Sequence, residues 1–309
     1  VQAGMPLEAV HNAAREQGLV YPVDFASRGS CAIGGTIATN AGGIRVIRYG
    51  NTREWIAGLK VVIGAGDVLE FNKALIKNSS GYDLRHLFIG SEGTLGVVVE
   101  ATVRLTDPPP PTNVMLLALP SFEELMPVFA ALRQALRLYA FASSTACGLE
   151  RDEAKEAAAM AAFEACMEQG WVSDGVISQS DAQAAQLWRL REGITEALAR
   201  YVPYKNDVSV RISAMPAFLA ETQALLGEAY PQFQVVWFGH IGDGNLHINV
   251  LKPDGMENAD FVTQCEQVTK LLAQALLAHG GSISAEHGIG LVKKPYLSST
   301  RSVAEIELM

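Results

Sequence analysis

Cysteine is scarce: Cys31, Cys147, Cys166 and Cys265 are the only four in 309 residues, widely spaced and never paired as CxxC. That spacing supports neither a zinc knuckle nor a disulfide framework, and a reducing compartment, the cytoplasm, is the plain expectation. Long apolar runs are missing too. Although 49% of the residues are hydrophobic, stretches such as Val97-Val98-Val99 are cut by Gly, Glu or Pro, so no transmembrane segment of about 20 apolar residues fits. Positive charge is short. With 24 Lys+Arg against 33 Asp+Glu the net charge is −9, and no basic block offers the electrostatic footprint of a nucleic-acid partner. The first residues are neither a basic stretch nor an apolar block, so no signal peptide is read. The missing initiator Met suggests a chain cut from something longer.

Proline, elsewhere sparse, clusters in Asp107-Pro108-Pro109-Pro110-Pro111-Thr112. Four consecutive prolines form neither a helix interior nor a central strand, so residues 107–112 are read as a stiff linker between a first domain, 1–106, and a second, 113–309. The first is expected to be β-rich, with strands over 58–63 and 97–105, Gly-rich loops, and one helix over 6–17 whose apolar residues recur at helical spacing. The second opens with a strand over 114–119 and a helix start at Ser121, with Glu124 as capping-box partner. Helices are expected over 151–169, 181–201, 215–230 and 258–279, and strands over 172–178, 208–212, 234–240 and 246–251. This alternation predicts an α+β layer, an antiparallel sheet covered on one face by helices.

Chemistry concentrates in a few segments. Gly242-Asp243-Gly244-Asn245 is turn chemistry, so the flanking apolar runs should pair and bring His240 close to His247. His247 and Asn249, two apart on one strand, must share a face. The histidine pair is half of a metal site or a hydrogen-bonded structural pair. Glu286 and His287 stand between a strand-like run and a Gly-rich bend. A carboxylate and two imidazoles suit Zn²⁺ or Mn²⁺, whereas His287, projecting differently from Glu286, is placed as a base. The alternative is a surface turn pair. Arg191 and Thr195, four apart on a predicted helix, form either a carboxylate clamp or a solvated face. In the first half, the run from Arg28 to Gly43 holds five glycines, and Gly90-Ser91-Glu92-Gly93-Thr94-Leu95-Gly96 forms a second cluster. The first is either a cofactor loop or a tight-packing turn; the second leads into a strand rather than a helix, which disfavours a nicotinamide Rossmann fingerprint.

Five ordered motifs carry a family resemblance: Ser30-Cys31-Ala32-Ile33-Gly34-Gly35-Thr36-Ile37-Ala38-Thr39-Asn40-Ala41-Gly42-Gly43, Ser80-Gly81-Tyr82-Asp83-Leu84, Phe88-Ile89-Gly90-Ser91-Glu92-Gly93-Thr94-Leu95-Gly96, Gly239-His240-Ile241-Gly242-Asp243-Gly244-Asn245-Leu246-His247, and Ser284-Ala285-Glu286-His287-Gly288. Together they resemble the FAD-linked D-2-hydroxyacid dehydrogenases of the vanillyl-alcohol-oxidase superfamily, which include D-2-hydroxyglutarate and D-lactate dehydrogenases and the flavin subunit of glycolate oxidase. The resemblance implies a partial FAD-binding domain of that type, without its N-terminal pyrophosphate subdomain, followed by an α+β substrate cap whose C-terminal tail is absent. It also implies a shortened stretch between 140 and 153.

By the same resemblance, Ser30, Gly34, Gly35, Thr39 and Asn40 would line the flavin, and Gly93, Gly96 and Val98 its nucleotide part. His240, His247 and Glu286 would hold the metal, His287 would be the base, and Arg191, Thr195, Lys205 and Asn249 would hold the substrate. The implied reaction is oxidation of a D-2-hydroxy acid (lactate, glycolate or 2-hydroxyglutarate class), with hydride transfer to flavin N5. Electrons would pass to a quinone, a cytochrome or an electron-transfer flavoprotein, either in the cytoplasm or peripherally at a membrane, and the resemblance allows a homodimer. Rival readings are a flavin-free metal-binding or hydrolytic domain, an inactive truncated relative, and a non-redox flavoenzyme of the alkyl-ether-lipid synthase type.

Overall fold

The computed structural model describes the whole chain except residues 26, 73, 74, 137 and 142–145. It divides into two compact units, Val1–Pro110 with Glu286–Gly288, and Pro111–Ala285 with Ile289–Met309.

In the first unit, helix α1 (Leu7–Glu16) follows the predicted periodicity and buries Leu7, Val10 and Ala14. Helix α2 (Ile33–Ala38) occupies the centre of the first Gly-rich run, where a loop was expected. Its Ile33 and Ile37, four apart, are fully buried, and this apolar pair outweighs the low helix propensity of Gly34 and Gly35. Two single-turn helices, α3 (Val46–Tyr49) and α4 (Thr52–Trp55), lead into β1 (Ile56–Ile63). After β2 (Val68–Phe71) and the short α5 (Arg85–Phe88) comes β3 (Gly96–Val103). The strands form one antiparallel sheet in the order β2-β1-β3. Leu7, Ile33, Ile37, Leu59, Val61 and Phe88 belong to one core cluster beneath it.

The second unit begins with β4 (Thr112–Ala118). Ser121 does not cap the next helix: its hydroxyl donates to Glu124 (2.6 Å) and accepts from the Glu123 N–H (3.1 Å), forming a separate turn, and α6 (Leu125–Ala135) starts four residues later. β5 (Leu138–Phe141), β6 (Ala146–Glu150), α7 (Glu153–Glu168) and β7 (Asp174–Ile177) follow, giving a four-stranded sheet in the order β5-β6-β4-β7. The expected shortened stretch between 140 and 153 includes residues 142–145, which lie outside the described residues.

The predicted helix over 181–201 is two helices, α8 (Asp181–Glu192) and α9 (Ile194–Ala199), parted at Gly193. Arg191 and Thr195 therefore do not share one uninterrupted face. Arg191 is buried whereas Thr195 is exposed. The next strand also differs from expectation: β8 spans Tyr204–Ser209, not 208–212. The polar stretch Lys205-Asn206-Asp207 hid it. α10 (Met215–Ala229) follows the expected span and has Pro216 in its first turn, where a missing N–H costs nothing. β9 (Gln234–Phe238) and β10 (Asn245–Leu251) pair in antiparallel fashion, and β8 takes the other side of β10, so the sheet order is β8-β10-β9.

α11 (Asn258–His279) buries Phe261, Cys265, Val268, Leu272 and Leu276, three or four residues apart, and α12 (Val303–Leu308) begins with a capping box at Ser302 and Glu305. The β8-β10-β9 sheet carries helices on both faces rather than one. α11 meets one through Thr269, which hydrogen-bonds Asn206 Oδ1, while Leu198 and Ile194 of α9 pack on Phe238 and Leu251 on the other.

Candidate metal and substrate site

The second of these faces carries the candidate residues. Strand alternation places Asn245, His247 and Asn249 of β10 on it, opposite Ser209, Asp207 and Lys205 of β8. Phe238 of β9 pairs with His247, with ring centroids 5.0 Å apart. The turn between β9 and β10 is a short 3₁₀ segment, Ile241–Asp243, closed by Gly244 at φ 85°. A Cβ at Gly244 would lie 2.2 Å from the Val210 carbonyl oxygen, and one at Gly239 would lie 2.4 Å from that of Asn245. Both glycines are thus required by close approach. The turn carries His240 back over the sheet, 6.0 Å from His247 between ring centroids, in edge-on orientation.

Asp207 organises this face. It is 1% exposed, and its Oδ1 accepts from Asn245 Nδ2 (2.8 Å) and lies 3.6 Å from His247 Nδ1. Its Oδ2 accepts from the Ala285 N–H (3.2 Å), and Lys293 Nζ approaches that oxygen at 4.0 Å while donating to the Asp207 carbonyl at 3.1 Å. One buried carboxylate thus ties together β10, β8 and the backbone immediately before Glu286. A carboxylate beside an imidazole orients the ring and raises its basicity as a ligand. Sequence reasoning missed Asp207; the only signal was an acidic residue two positions from Lys205 in a stretch too polar to read as a strand.

His240, His247 and Glu286 each offer one ligand atom, and these atoms all lie within 4.8 Å of one another. Burial, reinforced by the Arg191 and His247 charges, depresses the His240 imidazole to about 3. It is therefore neutral at pH 7 and has a lone pair for a cation. Two imidazoles and one carboxylate at this spacing fit a divalent ion with positions left open for a small molecule. His287, the next residue, is exposed. The Arg191 guanidinium lies over the Phe238 ring, 5.6 Å from its centroid, at the edge of the same face. Asn249 is buried and Lys205, its partner across the ladder, is exposed. Burial pushes the Asp243 carboxyl up to about 7.

In the first unit, the two Gly-rich segments meet: the Gly90 N–H donates to Ile37 O (3.0 Å) and the Glu92 N–H to Ala38 O (2.8 Å), docking the second segment on the end of α2. Asn40, at φ 49°, accepts from the Arg53 N–H at 3.0 Å. Gly34 packs against Ala3, where a Cβ would stand 2.8 Å from the Ala3 Cβ, whereas nothing crowds Gly35 or Gly93. Ser30 and Thr39 donate to the carbonyls of Ser27 and Gly35. Gly96 opens β3, with Val62 O 2.7 Å from where its Cβ would be, and Val98 packs against the core.

Comparison with known proteins agrees with this architecture. Residues 1–72 match the FAD binding domain family, and residues 144–309 match the family described as FAD linked oxidases, C-terminal domain. D-2-hydroxyglutarate dehydrogenase of Xanthomonas citri pv. viticola is 77% identical over all of this chain and 71% of its own length. The Stutzerimonas stutzeri protein of the same name is 51% identical, with 72% of its length covered, and the mitochondrial one of Bos taurus 35%, with 61% covered. The first two alignments run over 334 positions against 309 residues here, so each relative has at least 25 positions without a counterpart in this chain. Among solved structures, an alkyldihydroxyacetonephosphate synthase superposes with a TM-score of 0.66 at 14% identity, covering 98% of this chain and 62% of that one, which is a likeness of fold alone. The chain belongs to the family of FAD-linked D-2-hydroxyacid dehydrogenases, FAD-dependent oxidoreductases that act on 2-hydroxyacids.

Proposed function

We propose that this chain oxidises D-2-hydroxyglutarate, or a closely related D-2-hydroxy acid, to the 2-oxo acid, using FAD and a divalent ion held by His240, His247 and Glu286. The observation that carries the metal part is the convergence of one ligand atom from each of those residues within 4.8 Å. The names of the relatives at 77% and 51% identity favour hydroxyglutarate over lactate or glycolate.

When bound, a divalent ion lowers the pKa of a coordinated hydroxyl, and FAD, held by the first unit, accepts a hydride. The chain's own residues do the rest. Arg191, Lys205 and Asn249 bind and orient the substrate carboxylate, a positioning effect worth several orders of magnitude in rate when the reacting geometry is held. His287 takes the hydroxyl proton. Asp207 keeps His247 and the backbone before Glu286 in register. The electron acceptor would be a quinone, a cytochrome or an electron-transfer flavoprotein.

The test is anaerobic: FAD-reconstituted chain is mixed with D-2-hydroxyglutarate, D-lactate, glycolate and malate, with and without chelator, and flavin bleaching is followed. Bleaching fastest with D-2-hydroxyglutarate, lost with chelator and restored by Zn²⁺ or Mn²⁺, is expected. Bleaching by none of the acids overturns the reaction, and indifference to chelator overturns the metal's part. His287→Ala should keep its metal and lose bleaching; equal loss of metal contradicts its role as base.

A further inference from the structure

One contact in the first unit reaches the segment that carries Glu286 and His287. Glu286–Gly288, far along the chain, packs as part of that unit, and its three residues lie in no helix or strand. Against Gly288 stands the carboxyl of Glu92: a Cβ at Gly288 would lie 2.8 Å from both the Cδ and the Oε1 of Glu92, and 3.1 Å from its Oε2. Gly288 has φ 77°, so close approach and backbone alike require glycine there.

Glu92 holds this place in a strained conformation. Its φ is 52°, in the left-handed region that a glutamate rarely adopts, although Gly90 and Gly93 stand close by at φ 88° and 78°. Hydrogen bonds fix the surrounding segment: the Glu92 N–H donates to Ala38 O (2.8 Å), the Thr94 N–H to Ser91 O (3.0 Å), and Ser91 Oγ to Phe88 O (2.9 Å). Strained residues of this kind persist where the surrounding structure dictates them, and they cluster at functional sites. We propose that Glu92 is a positioning residue whose carboxyl group, seated on Gly288, holds the bend that carries Glu286 and His287. This role rests on the reading proposed above, with Glu286 as metal ligand and His287 as base.

Glu92→Gly separates side chain from backbone, because glycine accepts the left-handed φ while the carboxyl is removed. With chelator present, the thermal midpoint of the full chain should stay level or rise. Amide hydrogen exchange over residues 286–290, followed by mass spectrometry, should nevertheless quicken about tenfold, the span of one lost polar contact. Titration with Zn²⁺ should show affinity weakened by about 10- to 100-fold. Gly288→Ala tests the contact from the other side: the protection it removes in the parent should exceed what it removes in the Glu92→Gly background, where the carboxyl it would strike is gone. Unchanged exchange over 286–290, or strictly additive effects of the two substitutions, overturns the role of Glu92. A lower midpoint with faster exchange throughout the first unit also overturns it, since the residue then serves general stability. Should the parent bind no Zn²⁺, the metal reading fails while the exchange result still decides for Glu92. Should Glu92→Gly fail to fold, Glu92→Ala gives the same exchange comparison.

Discussion

Asp207 shows how much one side chain can hold together. Because it is buried and accepts from Asn245 Nδ2 and the Ala285 N–H, Asp207→Asn keeps the shape but sets an amide N–H against at least one of those donors. It should cost about 3 kcal/mol of stability and weaken metal binding by about 10- to 100-fold, read by urea denaturation and metal titration. Asp243 gives a pH dependence. Its carboxyl, raised to about 7 in the folded chain mainly by burial, holds a proton that the unfolded chain has already released above its ordinary value near 4. The folded state therefore binds more protons between about pH 4 and 7, so this contribution is fully present below the unfolded value and is lost as pH rises through 7. Asp243→Asn should accordingly be more stable than the parent at pH 8 and no more stable at pH 3, with chelator present. The thiols differ by environment. Cys147 and Cys265 are buried and pushed up to about 12, whereas Cys31 is only partly buried. Cys31 should react first with a thiol reagent at pH 8, and reaction of Cys147 and Cys265 should await unfolding.

At the scale of elements, the β9–β10 hairpin is what brings two histidines together, and its turn admits no side chain at Gly244. Gly244→Ala meets both an unfavourable φ and the Val210 carbonyl, so it should cost more than about 2 kcal/mol and displace His240. Gly255→Ala, at φ 77° with open space around it, should lose only about 1 kcal/mol and leave metal affinity unchanged. Thermal melts and metal titration of the pair would separate a local from a general effect. This hairpin was legible in the sequence because turn residues and apolar runs agree there. The same was true of α1, α10 and α11, whose apolar periodicity or turn chemistry is strong. β8 was legible only in part, because the polar face that serves the site interrupts its apolar pattern. α2 was hidden by glycines, since packing of Ile33 and Ile37 overrode propensity, and the break between α8 and α9 is marked in the sequence by Gly193 alone, which the good helix formers on either side outweighed in the reading.

At the scale of the whole molecule, two compact units carry two separate kinds of machinery: Gly-rich segments docked on α2 in one, and a polar sheet face with histidines in the other. Motifs far apart in sequence identified the family, whereas Asp207 and the contact of Glu92 with Gly288 needed coordinates, because the first depends on which strand face a residue occupies and the second on two distant stretches of chain meeting. No helix among the described residues is long and apolar enough to cross a membrane. Everything proposed for the reaction depends on one cation held by His240, His247 and Glu286. Anomalous difference maps from crystals of the chain soaked in Zn²⁺ or Mn²⁺, recorded at each metal's absorption edge, test this most directly. A single peak within bonding distance of those three side chains is predicted; density elsewhere, or none in a well-ordered crystal, contradicts it.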